Sequence, residues 1–544
     1  MRRETILRSP YPDVEIPDVG LTAFVLERAA EYGDHPALID GPSGRTLSYA
    51  ELDAAVRRCA VGLAARGLRT GDVLALFSPN VPEFAIAFHG ASLVGAACTS
   101  INPLYTHDEL AFQLKHAGAR FLITVPELTE RALAAAREAS VEEVYVFGEA
   151  EGATPFAALL AADGQPPPVP IVPAEHVVAL PYSSGTTGLP KGVMLTHRNL
   201  VAFILQYLTP RPTYESDVIV AFLPFFHIYG LMVLLNVALR SGATVVTMPR
   251  FDFEQYLSLS ERHQATVAYL APPVALMLAK DPRLENYDLS SLRTAFCAAA
   301  PLDADLARAC ASRLGCELGQ GYGMTEASPG VSITPVGDAS SPGSVGPLLP
   351  CTEARIVDPG TGRDVGPVGR GELLVRGPQV MKGYLNDDAA TATTIEDGWL
   401  RTGDVVTADD RGWLTVVDRI KELIKVSAYQ VAPAELEAIL LTHPAVADAC
   451  VIGVPDERTG ETPKAFVVVA GEIDDEDLLT YVAERVAPHK RIRHLERLDT
   501  IPKSPSGKIL RRMLIERERA RATSPTPNRQ DPIDARIEQG ATEN

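Results

Sequence analysis

The sequence predicts an α/β protein: a large, multi-subdomain N-terminal domain of β-sheets flanked by helices, then a small α+β C-terminal domain. Three observations carry this. Strand-like and helix-like patterns alternate through the first part of the chain. At 544 residues the chain is too long for one simple core, so two or more domains are expected. From Ala434 onward a helical stretch precedes two strand-like runs, which reads as a smaller unit.

The elements follow in order. Ser48-Tyr-Ala-Glu51 is a capping box, in which the Ser hydroxyl and the Glu carboxylate each bond a backbone N–H of the first helical turn. Behind it Leu52, Val56, Cys59 and Leu63 share one helical face, and Gly67 offers a stop. Residues 73–77, Val-Leu-Ala-Leu-Phe, form a buried-strand run, and residues 106–109 a second capping box. Residues 121–125 and 144–147 are further strands. Residues 164–170, Gly-Gln-Pro-Pro-Pro-Val-Pro, form a stiff connector expected to cross between subdomains. In the C-terminal unit the helix covers 434–441 and the strands 449–454 and 465–469. The tail over 523–544 holds few apolar residues and reads as disordered.

Composition narrows the function. A hydrophobic content of 46% with 22% charged residues is ordinary for a globular enzyme. The net charge of −19 argues against nucleic acid as a partner, because phosphate contacts need clustered Lys and Arg. Seven cysteines, an odd number with no Cys-x-x-Cys, argue against a disulfide framework or a zinc site and for a reducing cytoplasm. The start lacks the apolar stretch of a signal peptide, and the longest apolar run, 231–239, is too short to cross a bilayer. No membrane partner is expected.

Residues 182–192 read Tyr-Ser-Ser-Gly-Thr-Thr-Gly-Leu-Pro-Lys-Gly. Gly185, Gly188 and Gly192 allow turns in which consecutive N–H groups point into one concavity and hold an anion. Ser183, Ser184, Thr186 and Thr187 add hydroxyls, and Lys191 a positive charge. This is polyphosphate chemistry. It is not a Walker A loop, since Pro190 stands where that motif needs its second glycine. A short Gly/Thr run alone would read as a flexible loop; eleven residues in this order are far more specific.

Four other segments bear chemistry. Gly321-Tyr-Gly-Met-Thr-Glu326 alone would read as a turn, and Arg401-Thr-Gly-Asp404 as a hairpin turn. Phe225-Phe-His227-Ile-Tyr229-Gly230 is aromatic, and a lone His there is usually a hydrogen-bonded core residue. Lys508, in Pro502-Lys-Ser-Pro-Ser-Gly-Lys508, would ordinarily be a solvated surface charge.

Together these segments, in this order, closely resemble the adenylate-forming superfamily of acyl-CoA ligases, luciferases and peptide-synthetase adenylation domains. The likeness covers roughly residues 20–520 and is strongest to 4-coumarate–CoA ligase-type enzymes. Leu423-Ile-Lys425 and the run 430–437 also fit that subgroup.

The resemblance implies an ATP-dependent acid–thiol ligase, with MgATP, a carboxylic acid and coenzyme A as its small-molecule partners. It implies roles for single residues. Ser183, Ser184, Gly185, Thr186, Thr187 and Lys191 hold phosphates. Gly321 and Tyr322 meet the adenine, Thr325 the α-phosphate, and Glu326 binds Mg²⁺, a hard cation that prefers oxygen ligands. Asp404 and Arg419 take the ribose hydroxyls. Lys508 draws the attacking carboxylate and the α-phosphate together, two anions that must approach each other. His227, Tyr229, Phe296, Ala299, Gly323, Pro329 and Gly330 line the acyl pocket. His227, Lys425 and Gln430 join Lys508 as catalytic residues. Lys421 is the pivot about which a mobile small domain swings. The implied division is 1–418 as the ATP- and acyl-binding domain, 419–421 as hinge, 422–522 as the small domain and 523–544 as tail.

The chain departs from its relatives in places. Val426, Ser427 and Ala428 stand where many relatives carry an aromatic residue, a lysine and a glycine. Ala428 lies where the resemblance puts a thiol channel, and a methyl there narrows it or strains a positive φ. Ala298 replaces a common glycine beside the pocket, and Gly330 a bulkier residue, which should widen the pocket's far end. A cinnamate-type acid is favoured, with a medium-chain fatty or cyclic acid as alternative. An amine or carrier protein is the alternative acceptor. A non-catalytic nucleotide-binding regulator is the reading from another class, which pyrophosphate release would exclude.

Overall fold

A computed structural model describes residues 5–183, 190–338, 340–366, 369–426, 429–456, 458–504 and 507–523. The chain divides into two compact units. The first comprises Met1–Lys421 and Pro505–Lys508, the second Glu422–Ser504 and Ile509–Asn544. Ser184, Gly185, Thr186, Thr187, Gly188, Ser427, Ala428 and the tail beyond Thr523 lie outside the described residues.

The first unit holds three sheets. In the nine-stranded sheet Val73–Phe77 lies between Ala97–Ile101 and Ala119–Thr124, both parallel to it. All five residues of Val73–Phe77 are buried, as expected for a parallel strand covered on both faces. Glu143–Val146 and Thr154–Pro155 extend one side. On the other side come Val177–Ala179 and the antiparallel strand Lys191–Thr196. The connector 164–170 therefore does not cross between subdomains. It leads from the edge strand Thr154–Pro155 back over the intervening strands of the same sheet to Val177–Ala179. A stiff, extended segment suits that span.

The eight-stranded sheet has six parallel strands, in the order Glu317–Gly323, Thr294–Cys297, Val267–Leu270, Val218–Ala221, Thr244–Thr247 and Pro36–Asp40. The third sheet is antiparallel and pairs Trp399–Ala408 with Leu414–Arg419. Helix Tyr49–Ala65 opens with the expected capping box, and Leu52, Val56, Cys59 and Leu63 are all buried. Helix His107–Ala117 opens with the second box.

Asn80 follows Val73–Phe77 and is 3% exposed. Its amide donates to the carbonyls of Ala221 and Leu223, both at 2.9 Å, and accepts from the Phe225 N–H at 2.7 Å. Ser100 donates to the Phe226 carbonyl at 2.9 Å. The stretch leaving Val218–Ala221 is thus pinned just before His227 and Tyr229. It continues into Gly230–Val237, wound as a π-helix, every residue of which is buried.

The second unit is a five-stranded sheet of Ile424–Val426, Tyr429–Val431, Val446–Asp456, Gly460–Val469 and His494–Arg497. Helices Pro433–Thr442 and Asp475–Ala483 place Leu436, Leu440, Leu478 and Val482 in its core with Val451 and Val467. Helix Arg511–Thr523 carries regular structure through Thr523, the first residue of the expected tail.

Two buried histidines secure the short helix Leu21–Val25. His197 Nδ1 accepts from the Leu21 N–H at 3.0 Å, and His89 Nδ1 meets Thr22 Oγ1 at 2.9 Å. In both rings Nε2 is buried without a partner. Burial lowers the pKa of His89 to about 3 and of His197 to about 4. Both are neutral in the fold and near 6.5 when exposed, so the stability they give is complete above pH 6.5 and is lost as pH falls toward 4. Each loses about 1.4 kcal/mol per pH unit in that window. The urea midpoint of the first unit should fall steadily from pH 7 to pH 5, and less steeply in His89→Gln; an unchanged midpoint contradicts this. Asn80→Ala should lower the melting temperature by leaving buried backbone groups unpaired, at about 1–3 kcal/mol each. A melting temperature equal to wild type contradicts the role given to Asn80.

Candidate functional site

Tyr182–Ser183 and Lys191–Thr196 pair antiparallel, with Ser183 opposite Lys191. The hydroxyl residue and the lysine thus stand at the two ends of the loop. Lys191–Thr196 is paired on its other flank by Gly383–Tyr384, with Val193 opposite Tyr384. The Lys191 ammonium lies 4.9 Å from the centre of the Tyr384 ring and 3.5 Å from Asp387 Oδ2.

Glu326 lies in the short turn Thr325–Ala327, two residues beyond the strand Glu317–Gly323 that carries Gly321 and Tyr322. It is 6% exposed. Its Oε1 accepts from Ser183 Oγ at 3.0 Å and from Tyr384 Oη at 2.9 Å. Among the described residues no hydrogen bond reaches Oε2. A buried carboxylate with one oxygen fixed and the other available fits a hard cation. Among the described residues no group of three or more His, Cys, Asp or Glu side chains could hold a metal ion.

Asp404 does not sit in a turn. It lies within Trp399–Ala408, opposite Arg419 on Leu414–Arg419. The cross-strand pair forms an ion pair, Arg419 Nε to Asp404 Oδ1 at 3.2 Å. Tyr322 Oη donates to Asp404 Oδ2 at 2.6 Å. Burial, and next the Asp404 charge, push the Tyr322 phenol well above its ordinary pKa, so it stays a donor. Tyr322, Asp404 and Arg419, drawn from three strands, form one cluster.

The acyl-pocket candidates cluster at the carboxyl ends of parallel strands, where open α/β sheets place their crevices. Phe296 lies near the end of Thr294–Cys297, and Ala299 follows in the left-handed region at φ 80°. Such a φ is uncommon for a residue with a Cβ and clusters at functional sites. Gly323 is obligatory: a Cβ there would stand 1.9 Å from the Pro329 carbonyl oxygen. Tyr229 and Phe296 meet edge-on at 6.4 Å, and Phe296 also meets Tyr269 edge-on at 6.2 Å. Tyr229 Oη is buried without a hydrogen-bond partner. Burial raises its pKa well above the usual phenol value, so the hydroxyl remains protonated. His227 is held near pKa 4, first by burial and next by the Lys508 charge, and is neutral at pH 7.

Gly330 does not widen the pocket. A Cβ there would come within 2.5 Å of Phe203 Cε2 and 2.9 Å of Leu349 Cδ1. Phe203, from helix His197–Leu208, fills the space that the missing side chain leaves. Close packing leaves no void where a neighbouring ring can move in.

Lys425 and Gln430 are register partners in the antiparallel pairing of Ile424–Val426 with Tyr429–Val431 in the second unit. Lys421 is the last residue before that unit begins at Glu422. Sequence reasoning missed Tyr384, Asp387, Asn80 and Phe203. Asp387 had a visible signal, since an Asp just before a helical stretch reads as an N-cap, and it does cap Asp388–Thr394. Phe203, Asn80 and Tyr384 carried none, because their partners are distant in the chain.

Residues 25–385 match the AMP-binding enzyme family and residues 435–508 its C-terminal domain. A 4-coumarate--CoA ligase 3 of Oryza sativa subsp. japonica is 44% identical, with 94% of this chain and 95% of that protein covered. The solved anthranilate CoA ligase AuaEII in complex with anthranoyl-AMP superposes with a TM-score of 0.87 at 26% identity, covering 94% of this chain and 99% of that one. The amide bond synthetase McbA from Marinactinospora thermotolerans superposes at 0.81 with 29% identity, covering 91% and 99%. The chain belongs to the AMP-binding enzyme family, as an adenylate-forming ligase.

Proposed function

We propose that this chain joins a ring-hydroxylated acid of the cinnamate type to coenzyme A at the expense of ATP. The acid's carboxylate oxygen attacks the α-phosphorus of ATP, and the bond to pyrophosphate breaks. The thiol of coenzyme A then attacks the acyl carbonyl carbon, and AMP leaves. The first step replaces a poor leaving group, hydroxide, with a good one.

The observation that carries the substrate reading is the Tyr229 hydroxyl, buried, protonated and unpaired among aromatic rings. A buried donor without an acceptor is costly, and a ring hydroxyl on the acid would satisfy it. The plant 4-coumarate–CoA ligases at similar identity support the same choice. Ser183, Lys191 and the loop between them bind the triphosphate, with Thr325 at the α-phosphate. Asp404, steered by Arg419 and Tyr322, accepts the ribose hydroxyls. Neutral His227 borders the carboxylate without repelling Lys508. Mg²⁺ at Glu326 would neutralise phosphate charge. Lys508 serves the first step, and a pivot at Lys421 lets Lys425 and Gln430 serve the second. No helix among the described residues is long and apolar enough to cross a membrane. With its unpaired cysteine number the chain fits the cytoplasm.

A second reading changes only the acceptor. The likeness to an amide bond synthetase and the Ser427/Ala428 departure favour an amine. Acyl-CoA and amide formation, measured over a panel of acids with coenzyme A, with amines and with neither, separates the two. Thioester from hydroxycinnamates is the expected product; adenylate that reacts with amines and ignores coenzyme A contradicts the proposal.

Lys508→Ala should abolish pyrophosphate release yet leave thioester formation from supplied acyl-adenylate largely intact. Equal loss of both half-reactions in a folded variant contradicts the assignment. Tyr229→Phe should lower kcat/KM for 4-hydroxycinnamate more than for cinnamate, by about 1–3 kcal/mol of lost pairing. Equal effects on both acids mean that Tyr229 does not read the ring.

A further inference from the structure

Two residues outside every motif named above lie against the phosphate hairpin. Tyr384 touches both Lys191–Thr196 and Glu326. Its backbone pairs with Val193 on Lys191–Thr196, its ring lies under the Lys191 ammonium at 4.9 Å, and its hydroxyl bonds Glu326 Oε1 at 2.9 Å. Asp387, three residues on, divides its oxygens. Oδ1 accepts from the Ala390 N–H at 2.9 Å and caps Asp388–Thr394, while Oδ2 faces Lys191 at 3.5 Å.

We propose that Tyr384 and Asp387 form a bracket that aims two charges of opposite sign, Glu326 and Lys191, at one metal–triphosphate. They are positioning residues. The inference rests on the reading of Glu326 and Lys191 given under Proposed function. The physical reason is orientation. A carboxylate free to rotate presents either oxygen to a cation, whereas two donors on Oε1 commit Oε2. A long lysine side chain loses rotamer freedom on binding phosphate, and that loss is smaller if an aromatic face and a carboxylate already confine it. The capping bond ties Asp387 to a helix, so the bracket rests on regular structure rather than on a loose loop. The two members act on different parts of the ligand: Tyr384 Oη on the metal through Glu326, Asp387 on the phosphates through Lys191.

Tyr384→Phe keeps the ring under Lys191 and deletes only the hydroxyl. Asp387→Asn keeps an N-cap and deletes only the charge. Binding of ATP is measured by calorimetry with Mg²⁺ and with EDTA, and the Mg²⁺ dependence of pyrophosphate release is followed alongside. Tyr384→Phe should weaken MgATP binding about tenfold, the order of one lost hydrogen bond to a charged group, and shift the Mg²⁺ half-saturation upward. It should leave binding of metal-free ATP and kcat at saturating Mg²⁺ nearly unchanged. Asp387→Asn should weaken ATP binding to a similar degree with and without Mg²⁺. A merely structural role of Tyr384 would move the melting temperature without separating the metal-dependent from the metal-independent affinity, and a merely structural role of Asp387 would move the melting temperature without weakening ATP binding. If Tyr384→Phe keeps wild-type affinity or loses it equally with and without Mg²⁺, or if Asp387→Asn keeps wild-type affinity, the bracket is refuted while the proposed function stands. If the wild type binds no MgATP and releases no pyrophosphate with any acid, both are refuted.

Discussion

One oxygen atom gathers the site. Glu326 Oε1 accepts from Ser183 at the start of the phosphate hairpin and from Tyr384 on the strand that flanks the hairpin's far side. The three residues stand 143 and 58 positions apart in the chain. Burying a carboxylate is expensive unless hydrogen bonds compensate it. Here the compensation comes from the two segments that frame the phosphate loop, so the requirement to satisfy one buried anion also fixes the loop's stem.

The other parts are held by independent means. The Asp404 cluster is set by strand pairing, which puts Arg419 directly opposite and leaves the second carboxylate oxygen to Tyr322. The segment of His227 and Tyr229 is set by Asn80, which reaches from the end of a strand in one sheet to the exit of a strand in another. Each device uses a buried polar group held by hydrogen bonds from distant segments, which specifies geometry where apolar packing alone would tolerate shifts. What stays unsatisfied is equally informative. Among the described residues Tyr229 Oη has no hydrogen-bond partner.

Much of this was legible in the sequence, for local reasons. Both capping boxes and the buried strand at Val73–Phe77 depend on residues a few positions apart, and they appear where the sequence put them. The phosphate loop, the Thr325–Glu326 turn and Asp404 were found by motif, and the structure brings Ser183 to Glu326 and Tyr322 to Asp404. The failures share one physical cause. Gly330 implied a wider pocket only if nothing else moved in, and Phe203, 127 positions earlier, did. The proline-rich connector implied a crossing only if its far end lay in another sheet, and strand order decided otherwise. Tyr384 carried no local signal because its hydroxyl, ring and backbone each answer to a different distant segment.

The central claim is that this site makes an acyl-adenylate reversibly before any acceptor enters. Exchange of labelled pyrophosphate into ATP, measured without coenzyme A or amine, tests it most directly. The account predicts exchange that requires a carboxylic acid, is fastest with a hydroxycinnamate, and needs Mg²⁺. Exchange that is absent with every acid, while the protein remains folded and binds ATP, would contradict it.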